Sequence, residues 1–510
     1  FVGDPDGDWS DATNWAGGAI PDGDNVLKVV IPQGTATVYD SDAFGTTSAA
    51  IENNGVVRFE SVNAFSLDNV VSGTGDIEQR GSGVLTLGGT NTFSGNVDIA
   101  GLSLKLAHAT ALGQGSLVAD GGTLSLADGV TLESLTVDGD VTLATAMRTA
   151  GDQTYNGALT FLSAGAAGTQ VTNGPLVFAE PGTPNFSSQT GNISFNGTVS
   201  AGAGAKNAER SLVVHAVNGS VSFNDQVGMN LVDNTAQSYQ TIRWMDYANQ
   251  QDTNPWAMDV LADQINLNAD ITTFETQRYT GRTVVGNNGD NGFTRLLVSL
   301  DPAITFYGPI DDSVAGRHSL VLRALTLDPA NETPTIDING DIGSTRPLES
   351  FDFLSGAQWT DNVALIADLA PPPPPGSTEL YTDEARFDFV GEVNLGGSTF
   401  TQGNQLLVAR DVDLSPRDLR DTDPTGLDPA EEPPIAASTL RTQTGEINVV
   451  TGLDQPDEPG DEPAARSIAG LAETNFRLGF AARGLAPELR ELAGFAVIVF
   501  PLRLPVLAPV

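Results

Sequence analysis

Cysteine is absent from the 510 residues, which excludes disulfides, thiolate metal sites and a thiol nucleophile. Stability therefore has to come from packing and from backbone hydrogen bonds. Histidine occurs three times, and Lys plus Arg number 24 against 64 Asp plus Glu. The formal charge of −40 repels nucleic acid and anionic bilayers, so neither is an expected partner, and cations are the natural counter-partners. The same acid excess keeps a long, edge-rich chain soluble. No apolar run reaches the roughly 18 residues of a membrane-spanning helix, so no such segment is expected. Aromatic residues are only 7 % of the chain, which suits a narrow core filled by Val, Leu, Ile and Ala. Hydrophobic residues still make up 40 %, too many for disorder to be the default.

What is present is a rhythm. From Gly83 to Leu126, short apolar alternations (Val84-Leu85-Thr86-Leu87, Leu102-Leu104-Leu106, Leu124-Leu126) are cut at near-regular intervals by Gly, Asn and Asp. This is the period of strands, not of helices. Each run is too short to bury a face alone, so neighbouring runs must stack, in coils of roughly 20 residues, before any is stable. Earlier runs (Ala36-Thr37-Val38, Val56 to Phe59, Phe65-Ser66-Leu67) are separated by Asn53-Asn54-Gly55 and Gly73-Thr74-Gly75, residue types that make tight corners.

Leu85, Thr86, Leu87, Gly89, Asn91, Thr92, Phe93, Gly95, Ala111, Leu112, Gly113, Gly115 and Gly122-Thr123-Leu124 resemble the passenger-associated repeat of bacterial autotransporters, with Phe93 in place of the usual Tyr. The resemblance implies an all-β chain folded as a right-handed parallel β-helix, a β-solenoid. At residues 1–34, Trp9, Asn14-Trp15, Gly17-Gly18, Pro21, Gly23-Asp24 and Val26 are similar to the opening found ahead of β-helical regions in secreted bacterial proteins. Its expected role is an N-terminal cap that shields the unpaired backbone groups of the first coil.

Within that cap Asp4, Asp6, Asp8 and Asp11 alternate around Gly7. Such carboxylates either converge on a calcium ion, which takes six to eight oxygens, or form a solvated acidic turn. The calcium-loop pattern is incomplete, because Trp15 stands where its closing Glu belongs.

A second repeat follows. Gln153-Thr-Tyr155-Asn-Gly157 returns as Gln277-Arg-Tyr279-Thr-Gly281, and Ile193-Ser-Phe195-Asn-Gly197 returns as Ile304-Thr-Phe306-Tyr-Gly308. The two intervals differ, which argues that loops of unequal length are inserted between equivalent coils. With Val221 to Asp225 and Ile336 to Gly340, this segment resembles the haemagglutinin-like repeats of large bacterial surface proteins. The solenoid is expected over 35–360.

Two stretches interrupt the rhythm. An insert at 232–258 gathers Tyr239, Trp244, Tyr247 and Trp256 among amides. These rings either bind a glycan or another protein, or fold down over the solenoid flank. Asp311-Asp312 and Arg317-His318 invite comparison with β-helical polysaccharide hydrolases, but those require carboxylates placed across a scissile bond, and here His318 lies too close in sequence.

Residues 361–493 form a Pro- and Asp-rich, irregular region that opens on Pro371 to Pro375 and carries only short strand candidates. The apolar segment 494–510, with Phe495, Val497, Val499, Leu502, Leu504 and Val506, either packs on its own chain or is donated as a strand to a neighbour. The second option makes the protein a homo-oligomer or polymer.

The usual catalytic constellations are missing, so no enzyme activity is expected. Absence of an initiating Met points to a processed, exported chain. The expectation is a secreted bacterial structural protein that assembles into a filament, sheath or surface layer, with an adhesin that binds glycan or matrix as the alternative and calcium as the only cofactor considered.

Overall fold

The computed structural model describes residues 1–22, 25–39, 48–161, 169–173, 191–201, 212–228, 257–273, 276–287, 293–299, 303–326, 333–358, 387–388, 391–414, 440–444, 447–451 and 476–480. The aromatic insert through Trp256, the five-proline run and segment 494–510 lie outside them. The chain divides near residue 263 into two compact units, each of which is a parallel β-solenoid.

In the first unit the coils advance by about 20 residues. One inward column runs Val57, Ile77, Val97, Leu117, Val137 through successive parallel pairings. A second face stacks Leu85, Leu104, Leu124, Leu143 and Phe161 the same way. These side chains are at most 3 % exposed, and their neighbours in sequence point outward, which is the alternation read from the sequence. Strand Lys28–Ile31 already pairs with Ala50–Asn53, so the coils begin inside the stretch read as cap.

The motif residues have individual tasks. Asn91 lies inside the coil, where its Oδ1 accepts from Val71 N at 2.9 Å and its Nδ2 donates to Ala111 O at 2.7 Å, joining coils 20 residues below and above. Phe93 is fully buried. Gly75, Gly95 and Gly115 stack where the backbone passes over the carbonyl of the coil beneath. A Cβ there would lie 2.1, 2.2 and 1.8 Å from the oxygens of Gly55, Gly75 and Gly95, closer than any side chain permits.

The second repeat is also a set of adjacent coils. Tyr155 pairs in register with Phe195, and Phe195 with Phe223. Their rings stack at 5.5 and 5.3 Å, with interplanar angles of 7° and 6°. The Tyr155 hydroxyl donates to Gln153 Oε1 at 2.9 Å, and burial pushes its pKa well above the usual phenol range. The same inward Gln and Tyr pair recurs at Gln277 and Tyr279, at 2.8 Å. Sequence spacing between these coils varies from 18 to 40 residues, as unequal insertions require.

In the second unit Gln277, Ile304, Ile336 and Val393 form one inward column. The opposite ladder runs through Leu297, Leu322, Phe353, Leu407, Val449 and Leu478. The regular stack therefore does not end at 360. Its later strands, including Gln405–Ala409 and Ile447–Thr451, keep the register, and Pro- and Asp-rich text is inserted between them. Among the described ladders of this unit, all are parallel except the pairing of Ala357 and Gln358 with Asp388 and Phe387.

Two substitutions probe this packing. Phe195→Ala is expected to destabilise by about 3–5 kcal/mol, and Gly95→Ala to lower the melting temperature through the clash with Gly75 O. Chemical and thermal denaturation measure both. An unchanged midpoint for either would contradict the register.

Candidate functional site

The N-terminal stretch shows where its acids go. Strand Gly7–Asp8 adds to Thr37 and Val38, and Trp9 N donates to Val38 O at 2.8 Å. Trp9 is 1 % exposed, Trp15 packs on it at 4.8 Å, and the Trp15 indole N–H donates to Trp9 O at 2.8 Å. Around this aromatic knot the carboxylates of Asp6, Asp8 and Asp11 each face a separate donor. Asp6 Oδ1 accepts from Arg58 at 2.7 Å. Asp8 Oδ1 accepts from the amide and hydroxyl of Ser10, both at 2.7 Å. Asp11 caps the 3-10 turn Ala12–Asn14 by accepting from Thr13, whose hydroxyl and amide hold its carboxyl below the usual range. For Asp4 it is the backbone carbonyl that is engaged, by Gly7 N. Among the described residues no three His, Cys, Asp or Glu side chains gather as a metal site.

Asp6 also begins an ionic ladder that crosses the coils: Arg58 to Glu78 at 2.7 Å, Glu78 to Arg80 at 3.5 Å, and Arg80 to Asp98 at 2.7 Å. Glu78 and Asp98 are register neighbours, so Arg80 offsets a like-charge stack. Pairs this exposed contribute about 0–1 kcal/mol each; their effect is to fix outward side chains in rows.

The second unit holds the acids and histidine that suggested hydrolysis. His318 is 1 % exposed. Its Nδ1 lies 2.6 Å from Asp312 Oδ1 and 3.3 Å from Ser313 Oγ, and its Nε2 lies 3.0 Å from Asn287 Oδ1. A nucleophile relay needs hydroxyl and carboxylate on opposite ring nitrogens, whereas here both meet Nδ1. Asp312 also accepts from the amides of Val314, Arg317 and His318 at 2.8 to 2.9 Å. Asp311 binds the Arg282 guanidinium at 3.1 Å and the amides of Thr345 and Arg346. The Asp312 carboxylate ties the loop that follows it together, while Asp311 joins its coil to neighbours on both sides through Arg282 and the amides of Thr345 and Arg346. Arg323 and Asp352, both buried, form a comparable tie at 2.8 Å.

The arrangement that reaches solvent is on the first unit. Asn156 Nδ2 donates to Asp138 Oδ1, Asn196 Nδ2 to Asn156 Oδ1, and Asn224 Nδ2 to Asn196 Oδ1, each at 2.7 Å. Asp138 can only accept, so Asn156 must turn its amide nitrogen downward, and that choice propagates up the column. Two residues before these lies a hydroxyl column in register, Thr136, Thr154, Ser194 and Ser222. A further edge is made by Asp152, Asn192 and Ser220, where Asp152 accepts from Asn192 N at 2.7 Å and Asn192 from the Ser220 amide and hydroxyl at 2.9 and 2.8 Å. Side chains in one column repeat at about 4.8 Å, and the columns stand roughly 6.6 Å apart along the strand. Sequence reading took Tyr155-Asn156, Phe195-Asn196 and Phe223-Asn224 as repeat marks only; the polar residue after each buried ring was the signal for this face. Tyr239, Trp244, Tyr247, Trp256 and the apolar residues Phe495, Val497, Val499, Leu502, Leu504 and Val506 lie outside the described residues.

Replacing Asp312, itself fully buried, by Ala removes the acceptor of three loop amides and of the buried His318 imidazole. We expect a loss of about 3–5 kcal/mol in the second unit, read by denaturant titration, while Ser313→Ala changes the midpoint little. Equal effects would contradict the assignment of Asp312 as the tie.

No protein-family model matches the chain, so the two repeat resemblances rest on the residues given above. No solved structure matches it. Among the described residues no helix is long and apolar enough to cross a membrane. The chain is similar to a protein described as adhesin BmaC autotransporter, from Brucella suis biovar 1 (strain 1330), with 30 % identity over 154 residues. That likeness covers 29 % of this chain and 4 % of the relative.

Proposed function

We propose that this chain is part of the outward-facing region of a bacterial surface adhesin of autotransporter type, working outside the cell. The observation that carries the reading is the partial likeness to an autotransporter adhesin in a chain whose described strands form long parallel ladders. The physical logic is one of scaffold and surface. Coils joined by backbone hydrogen bonds keep their outward rows at fixed spacing, so a weak contact made by one row is repeated by the next and the combined contact becomes strong. The reading needs no catalytic group and no bound cofactor.

Assembly into a filament was motivated by 494–510, whose residues the structure does not describe, and the adhesin reading takes precedence over it. Beads coated with the purified chain are expected to attach to cultured epithelial cells or to extracellular matrix several-fold more often than albumin-coated beads. Attachment at the albumin level would overturn the adhesive reading. Light scattering of the same preparation, with and without residues 494–510, separates the filament: polymers that vanish on deletion would favour assembly instead.

A further inference from the structure

We infer that the outward face formed by the coils at 152–158, 192–198 and 220–226 is a binding surface for a linear, uncharged polysaccharide that lies along the coil axis. The inference deepens the adhesive reading and rests on it for the biological setting, but the surface itself is argued from its chemistry.

The first argument is charge. In a chain with 64 acidic residues, the outward positions Thr154, Asn156, Ser194, Asn196, Thr198, Ser222, Asn224 and Gln226 carry no formal charge. The acids nearby stand at the margins: Asp138 at the foot of the amide column, Asp140 where it accepts from the backbone N–H of Ala158 at 2.8 Å, Asp152 at the foot of the edge row, and Asp225, which accepts from the backbone N–H of Gln226 at 2.8 Å. A polyanion or polycation would find little to pair with on the face itself.

The second argument is the lack of an apolar anchor. The exposed large hydrophobic residues of the described chain are Val2, Leu27, Val30, Val62, Val70, Val84, Phe293 and Val314. None of them lies on these coils, whose rings at Tyr155, Phe195 and Phe223 are fully buried. Protein interfaces concentrate their affinity in buried aromatic and aliphatic anchors, so a folded protein partner is disfavoured.

The third argument is repetition. Hydroxyls alternate with carboxamides across the strand, and both recur from coil to coil at about 4.8 Å. Each amide of the column uses one N–H and one lone pair within the ladder at Asn156 and Asn196, which leaves a second donor and a second acceptor in fixed directions. A ligand that meets such a grid must itself repeat, offer donors and acceptors together, and carry no charge. A chain of sugar rings in extended conformation does all three, since one ring advances the chain by close to one coil height. Because the ladder holds the amides in place before binding, little side-chain freedom is lost on contact.

The test uses the full chain with a soluble, uncharged, linear β-linked glucan as probe, a sulfated polysaccharide of similar length as the charged counterpart, and free glucose as competitor. Ser194→Lys places a long charged side chain in the centre of the grid; Thr154→Lys, one coil below, serves if the first variant fails to fold, and melting temperature confirms that either one has folded. The expected result is retention of the wild type by the glucan, at least tenfold weaker retention of the folded lysine variant, no retention by the sulfated chain, and no competition by free glucose. The inference is overturned if the wild type is not retained, if the lysine variant is retained equally, or if the sulfated chain binds better. It is overturned as well if the wild type is a dimer that the lysine substitution splits, because the face would then meet a second copy. Bead attachment measured in parallel separates the two readings: attachment without glucan retention removes the ligand and leaves the adhesin, and retention without attachment does the reverse.

Discussion

The described coils of this protein do not satisfy their own backbones. Ile77 N donates to Asn96 O and Val97 N to Ser116 O, both at 2.9 Å, so the hydrogen bonds of one turn of the solenoid end on the next. The strands of the first coils, two to five residues long, would be unstable alone. Stacked, each closes the open edge of its neighbour and buries a shared row of Leu, Ile and Val. Everything else follows from keeping that stack in register: the glycines at close crossings, the inward Asn91 that bonds to coils on both sides, and the aromatic rings that lie plane on plane.

Registration has a consequence on the outside. Whatever residue type stands after a buried ring stands in a row, because each coil repeats the one below it. Charges stacked this way must be interleaved with partners, as Arg58 and Arg80 are with Glu78 and Asp98. Amides stacked this way hydrogen-bond to one another. The surface of a solenoid is therefore a list of rows, and recognition by such a surface depends on matching a period more than on filling a cavity. Asp311, Asp312 and His318 are buried and hydrogen-bonded within the fold.

Much of the architecture was legible from spacing. The alternation around Leu85, Leu104 and Leu124 announced strands stacked at a fixed period, and the recurring Gln and Tyr of 153–155 and 277–279 marked inward positions with the same internal hydrogen bond. The later extent of the stack was obscured because Pro- and Asp-rich text separates the strand at 405–409 from that at 447–451, and composition averaged over such a stretch outweighs the short strands of four and five residues that the sequence does show. The polar face was obscured for a different reason. Asn156, Asn196 and Asn224 are far apart in sequence, and only the register shows that they touch. At Asp4, Asp6, Asp8 and Asp11 spacing left open a shared cation or a solvated acidic turn, and only the fold shows that Asp6, Asp8 and Asp11 face separate donors.

The absence of native cysteine permits a direct measurement of the stacking order. Thr142 and Thr160 are register neighbours, as are Thr123 and Thr142, whereas Thr123 and Thr160 stand two coils apart. A disulfide requires Cα atoms within about 7 Å, which adjacent coils provide and alternate coils do not. With cysteines introduced in pairs and the chain oxidised, the account predicts full cross-linking for 142 with 160 and for 123 with 142, and none for 123 with 160. Cross-linking of 123 with 160, or its failure in both neighbouring pairs, would contradict the stack.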